Sequence, residues 1–364
     1  MHFYKSISLS LILSAALITG CEDDDPSNTL PELIDVPETY SFENVSYTGQ
    51  TDRQNQMEEM TTYVKSANAE GVVLDLEVLT AMWKNTGDNA NGNFSFSSTK
   101  QLKDKCFAPD QPLIESYLRM AVNASESMEF GSNGVAGRIT SADGSEARLY
   151  DENGWEHAQL IEKTIMGAVF YYQAVTIYMG SEKMDVDNET VVPGEGTEMQ
   201  HHWDEAYGYL GSTNDFPEDT ENVRFWANYC NGRDPIIESN EKLSGALRTG
   251  RAAIDIDDLE IRDQAITVAR EEWEKVVAAT AIHYLNDGIQ NLADDYERNH
   301  DLSEAYAFIH SLMYNEEKSI TNAEIEEVKA LMGENFYEVT AEGLTAARDK
   351  LAVIFGMEDV KTLL

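Results

Sequence analysis

Basic residues are scarce in this chain. Its 364 residues hold 26 Lys plus Arg against 66 Asp plus Glu, a formal net charge of −40. Phosphate backbones are bound by clustered cations, so this balance argues against nucleic acid as a partner. Proline is scarce too: the chain has eight, and none follows Pro235. The tract beyond it therefore suits long helices, whose ladders proline would interrupt. Apart from the stretch Ile7 to Thr19, no apolar run approaches membrane-spanning length, and that one is itself short for a span. There is no Walker loop, HExxH zinc helix, GxSxG elbow or CxxC pair, which counts against the commonest hydrolase and nucleotide-binding classes. Cysteines number three. Two of them, Cys106 and Cys230, could pair in an oxidising envelope or stay as separate buried thiols, and spacing does not decide between these.

What is present is enough apolar matter for a core. At 42% hydrophobic and 9% aromatic residues, the chain is globular despite its charge. It begins with Lys5, the apolar run and then Ile18-Thr19-Gly20-Cys21, the pattern of a cleaved signal (residues 1–20) ending in a lipobox. Cys21 is the expected lipidation site, which makes the lipid the only membrane anchor. Glu22, Asp23, Asp24 and Asp25 open an acidic, Pro-containing tether, and Thr39 to Tyr47 has a strand-like alternation, so residues 21–45 read as a tether and short extended segment.

The remainder, 46–364, reads as all-α. Met57, Met60, Val64 and Ala67 share a face, as do Leu76, Leu79 and Trp83, and Leu113, Tyr117, Met120 and Ala124. Ile266, Ala269, Trp273, Val276, Val277, Thr280 and Tyr284 make one stripe on a long helix. Asp234-Pro235 reads as a helix start that Gly250 closes, and Thr321 to Glu324 as a capping box opening a helix through Leu331. Gly/Asn/Ser-rich loops are expected at Asn85–Ser98 and Gly131–Gly144, with an acidic loop at Gly180–Gly196. Glu162–Tyr172 aligns with Glu274–Tyr284, and His201–Leu210 with His300–Ile309, in the same order. The expected architecture is one or two helical bundles, in two related halves at about 46–232 and 233–364.

Chemistry concentrates in His and carboxylate clusters. His201, His202 and Glu205 lie three and four apart on one helix, a spacing that suits a borderline metal such as zinc or iron, or an ion-paired helix start. His157 with Glu156, Gln159, Glu162 and Lys163 forms a second cluster, and Glu304 with Tyr306 and His300 its counterpart in the other half. Together they make either a ligand-binding set or a buried salt-bridge network. Asp185 to Glu189 resembles the start of a calcium loop but lacks its glycine and final glutamate.

The lipobox, the segment Tyr47 to Arg53, the stretch Gly154 to Tyr172 and the helix His202-Trp203-Asp204-Glu205-Ala206-Tyr207-Gly208-Tyr209 resemble a family of envelope lipoproteins similar to the imelysin-like proteins. That resemblance implies an all-helical fold of two duplicated bundles and a role in iron uptake at the outer membrane. It further implies a GxHxxE metal motif, of which His202 and Glu205 supply HxxE while Gln200 replaces the glycine. The expected function is a lipid-anchored binding protein for iron or an iron-containing ligand, facing the periplasm or the cell surface, with an outer-membrane receptor as possible partner. A metal-dependent peptidase and a structural or adhesive surface lipoprotein are the alternatives. No catalytic residue is assigned.

Overall fold

The computed structural model describes residues 34–364, so the lipobox, Cys21 and most of the tether lie outside the described residues. The fold is all-α with one small hairpin. In chain order the helices are α1 (Thr48–Lys65), α2 (Leu76–Lys84), the single turn α3 (Asn89–Gly92), α4 (Gln111–Ser125), α5 (His157–Ile165), the single turn α6 (Ser181–Met184), α7 (Glu198–Gly208), α8 (Phe225–Ile237), α9 (Ser239–Asp255), α10 (Leu259–Gln290), α11 (Asp295–Ser311), α12 (Asn322–Met332) and α13 (Ala341–Ile354). None of them is long and apolar enough to cross a membrane.

Helix α10 is the spine. Its 32 residues start at Asp258, whose carboxylate caps Ile261 N, and run without proline. Ile266, Ala269, Trp273, Val276, Val277 and Thr280 are buried as the stripe requires. Helices α9, α11 and α13 pack along it, and α11 in turn packs on α5. One continuous apolar core therefore takes residues from both sides of position 232, from Met57 to Leu351. Helix α12 opens on the expected capping box, with Thr321 and Glu324 exchanging bonds.

Three expectations about the helices shift. Pro235 does not start a helix; it sits in the last turn of α8, and Glu238 in the left-handed region breaks the chain before α9. The capping chemistry is nonetheless real, because Asp234 Oδ1 accepts Asn240 N at 2.8 Å in the first turn of α9. Gly250 lies inside α9 rather than closing it: a Cβ there would stand 2.0 Å from a ring carbon of Trp203. In α4 the buried face is Ile114, Tyr117, Leu118, Ala121 and Ala124, which leaves Met120 exposed.

The strand-like segment Thr39 to Tyr47 joins no sheet. Side chains hold it instead: Tyr40 stacks on Tyr207 at 3.6 Å and donates to Asp204 Oδ1 at 2.7 Å, while Arg248 Nη1 binds the carbonyls of Pro37 and Glu38. The first strand of the structure lies where a loop was expected, and the second just beyond it. β1 (Gly137–Thr140) pairs antiparallel with β2 (Ala147–Tyr150), around a turn containing Asp143-Gly144. Cys106 and Cys230 are separate, free and buried, and burial pushes both thiols up, which makes them unreactive.

Candidate functional site

Helix α5 begins at His157 and continues beyond Ile165 through two π-helical stretches, Met166–Tyr171 and Gln173–Tyr178. Gly167 lets this wide helix approach α11 closely, since a Cβ would fall 2.1 Å from Ser311 Oγ. The packing brings four of the five expected ligand-binding residues into one buried network. Lys163 Nζ lies 2.9 Å from Glu162 and 3.7 Å from Glu304 Oε1; Lys65 reaches Glu162 from α1 at 2.8 Å; His300 Nε2 lies 3.6 Å from Glu304 Oε1. Tyr229 donates to Glu304 Oε2 at 3.2 Å.

Burial opposes charging throughout this network, yet the partners prevail. The Lys163 and Lys65 ammoniums hold Glu162 down at about 2, and Glu162 and Glu304 raise Lys163 above its ordinary value. His300 is also raised, because its bond to Glu156 Oε2 (2.6 Å) and the charges of Glu156 and Glu304 outweigh its desolvation. His157 stands apart from this set. Its Nε2 meets Asp151 Oδ2 at 3.1 Å, and the ring faces Tyr117 on the side of α4.

Above the network lies an open cleft of about 480 Å³, lined by Lys65, Asn68, Arg148, Glu156, Gln159 and His300 among others. This is the size of a small-molecule site. The charges in it are already matched: Lys65 by Glu162, Arg148 by Glu297 at 2.9 Å, His300 by Glu156. Gln159 is 5% exposed, and its side-chain carbonyl oxygen has no hydrogen-bond partner among the described residues. The sequence places Glu156 in the His157 cluster, but in the structure its carboxylate pairs with His300; Arg148, on β2, was not anticipated as a contributor.

The expected metal cluster sits elsewhere, at the start of α7. Thr197 and Gln200 form its capping box, which explains the glutamine at the position where a GxHxxE motif has glycine. Glu205 is the hub. It accepts from Gln50 Nε2 and Tyr178 OH, both at 2.9 Å on Oε1, and meets His202 Nδ1 at 3.1 Å and His201 Nε2 at 3.9 Å on Oε2. Against its burial, the hydrogen bonds from His202 and Gln50 and the charge of His201 hold its carboxyl at about 2. Lys183 Nζ lies 3.4 Å from His202 Nε2, while Nδ1 faces the Glu205 carboxylate. Among the described residues no three His, Cys, Asp or Glu side chains converge so as to hold a metal ion, and His201, His202 and Glu205 are no exception. The calcium-like segment is a surface turn, with Asp187 accepting from the backbone of Glu189 and Thr190. The aligned segments share one feature: His201 with Glu205, and His300 with Glu304, each face one another across one helical turn.

A third cluster escaped the sequence reading. Asp110 Oδ2 binds His310 Nε2 at 2.8 Å and Tyr314 OH at 2.5 Å, and Lys329 Nζ meets His310 Nδ1 at 2.7 Å. It fastens the start of α4 to α11 and α12.

The family profile of a domain of unknown function, DUF4856, matches residues 37–358. The chain belongs to that family. The DUF4856 match begins at Pro37, the residue whose carbonyl Arg248 binds, and so takes in the side-chain-anchored segment ahead of α1 as well as the helices. No curated protein and no solved structure matches the chain.

Proposed function

We propose that this DUF4856 protein is a lipid-anchored envelope protein that binds a small polar ligand in the cleft between α1, β2, α5 and α11, and that the ligand is an iron-containing complex. The cleft carries the reading. It is open, of ligand size, and built over a rigid buried network, with the partnerless carbonyl of Gln159 among its lining residues. The lipobox supports the anchor and the resemblance to imelysin-like proteins supports iron. Iron as a complex, rather than as a bare ion, follows from the His201, His202 and Glu205 geometry, in which the carboxylate is filled by neighbouring donors and a lysine caps one imidazole.

Isothermal calorimetry on residues 22–364 with ferric ion, zinc and haem tests this. Haem should bind, the two bare ions should not, and Gln159→Ala combined with His300→Ala should weaken haem binding by roughly tenfold, the loss of about one charge-assisted hydrogen bond. The reading is overturned if haem does not bind or if the double variant binds it unchanged.

A further inference from the structure

Arg53, Lys100 and Lys183 gather around Lys105, which lies beside Glu205. Three of them bear electrostatically on the fourth: Arg53, Lys183 and Lys100 all disfavour the charged form of Lys105, and Glu205 favours it. Hydrogen bonds trace the same neighbourhood. Lys105 Nζ donates to Tyr178 OH at 3.0 Å, Tyr178 to Glu205, and Lys183 to His202. Arg53 and Lys100 both border Gly49 at the start of α1, and Arg53 spends Nε and Nη1 on the carbonyls of Gln101 and Gly49.

These cations are not neutralised. None of the four makes an ion pair with an acid among the described residues, in a chain where acids outnumber bases 66 to 26. Most of the other cations here do have such a partner, as Lys65, Lys103, Lys163 and Arg251 show. Another acid, Glu198, lies 3.7 Å from His202 Nε2 and is mostly exposed. Arg53 is buried, Lys105 and Lys183 are half-buried, and Lys100 is exposed, so the group is rigid at its base and open at its rim.

We infer that this cluster is a binding site for a small, multiply charged oxyanion, a polycarboxylate or a phosphate. Four positive charges gathered beside a single carboxylate repel a metal cation. They attract an oxyanion, whose oxygens can take bonds from the Lys105, Lys183 and Lys100 ammoniums while buried Arg53 adds its charge from below. Lys105, with its charge disfavoured by burial and by Arg53, gains most from an arriving anion. The site is separate from the cleft over His300 and stands whether or not that cleft binds iron complexes.

The sign of one substitution distinguishes anion from metal. Calorimetry with citrate and with inorganic phosphate on residues 22–364 should show binding of at least one, weakening as NaCl is raised. Glu205→Gln should tighten it by roughly tenfold, since it removes the negative charge beside Lys105. Lys105→Gln with Lys183→Gln should weaken it by at least roughly tenfold while the helical circular dichroism is unchanged. A citrate response without a phosphate response assigns the polycarboxylate; the reverse assigns phosphate. The inference is overturned if neither anion binds, if the double lysine variant binds as well as the parent, or if zinc or ferric ion binds here and Glu205→Gln abolishes it.

Discussion

Gly250 shows how much a single position can carry. It is in the middle of α9, where alanine would favour the helix by up to about 1 kcal/mol. Yet the added Cβ would meet Trp203, which is fully buried and tied by its indole N–H to the Leu247 carbonyl at 2.8 Å, so the ring cannot withdraw. Overpacking of this kind costs about 1–3 kcal/mol and should win. Gly250→Ala is expected to lower the unfolding free energy by a net ~1–2 kcal/mol, read as a lower urea midpoint, and an unchanged or raised midpoint would show that α7 and α9 can separate there. The same residue marks a limit of sequence reading. Glycine after an apolar run commonly closes a helix, and only the tertiary neighbour reveals that this one admits a tryptophan. The side chains of the candidate site divide the same way. Glu162, Lys163, His300 and Glu304 were legible because they stand at helical spacing on faces that must be buried; the pairing of Glu156 with His300 was not, because the two are 144 residues apart. The cation group was invisible for a similar reason, being assembled from four segments that share no spacing.

At the scale of elements, Glu274 ties α10 to the loop before α12. It is 1% exposed and accepts Ser319 N on both oxygens at 3.0 Å and Ser319 Oγ at 2.9 Å. Burial pushes its carboxyl up to about 7, and the Ser319 bonds only partly offset this. A carboxyl raised in the folded state binds its proton there while the unfolded chain has already released it, so stability should fall as pH rises from about 4.5 to about 7. Burial raises Asp301 to about 7 as well, with a slope of the same sign. Glu274→Gln should therefore make the slope shallower, stabilising the protein by about 1–3 kcal/mol at pH 8 relative to pH 5, compared with the parent in urea unfolding at both pH values. Parallel slopes in parent and variant would place the titrating group elsewhere. Elements as such were largely legible, from α1 to the 32-residue α10 and the α12 capping box. Register and ends were less so. Asp234 caps from the preceding helix rather than from the N-cap position, and a Ser/Gly-rich stretch hid a hairpin because its strands are only four residues each.

For the molecule as a whole the formal charge of −40 is the dominant fact, and it is spread unevenly. Acids crowd the exposed surface and self-repel, while Arg53, Lys100, Lys105 and Lys183 concentrate positive charge at one place beside Glu205. Salt should therefore act in opposite directions at the two scales. Ionic strength shortens the Debye length from about 30 Å at 0.01 M to about 10 Å at 0.1 M, which quenches repulsion across the surface. Thermal unfolding is expected to move upward between 10 and 300 mM NaCl, by roughly 2–4 °C for each ~1 kcal/mol of repulsion relieved. Anion binding at the cation group would weaken over the same range. Chloride could also raise the midpoint by occupying that group, and the Lys105→Gln, Lys183→Gln variant separates the two causes. If surface repulsion governs, the variant keeps the full salt-induced rise, and its midpoint in 10 mM NaCl is reported against its own 300 mM value. A rise that vanishes in the variant assigns the effect to the bound anion, and a flat or falling midpoint in the parent would mean that the fold compensates its surface charge internally.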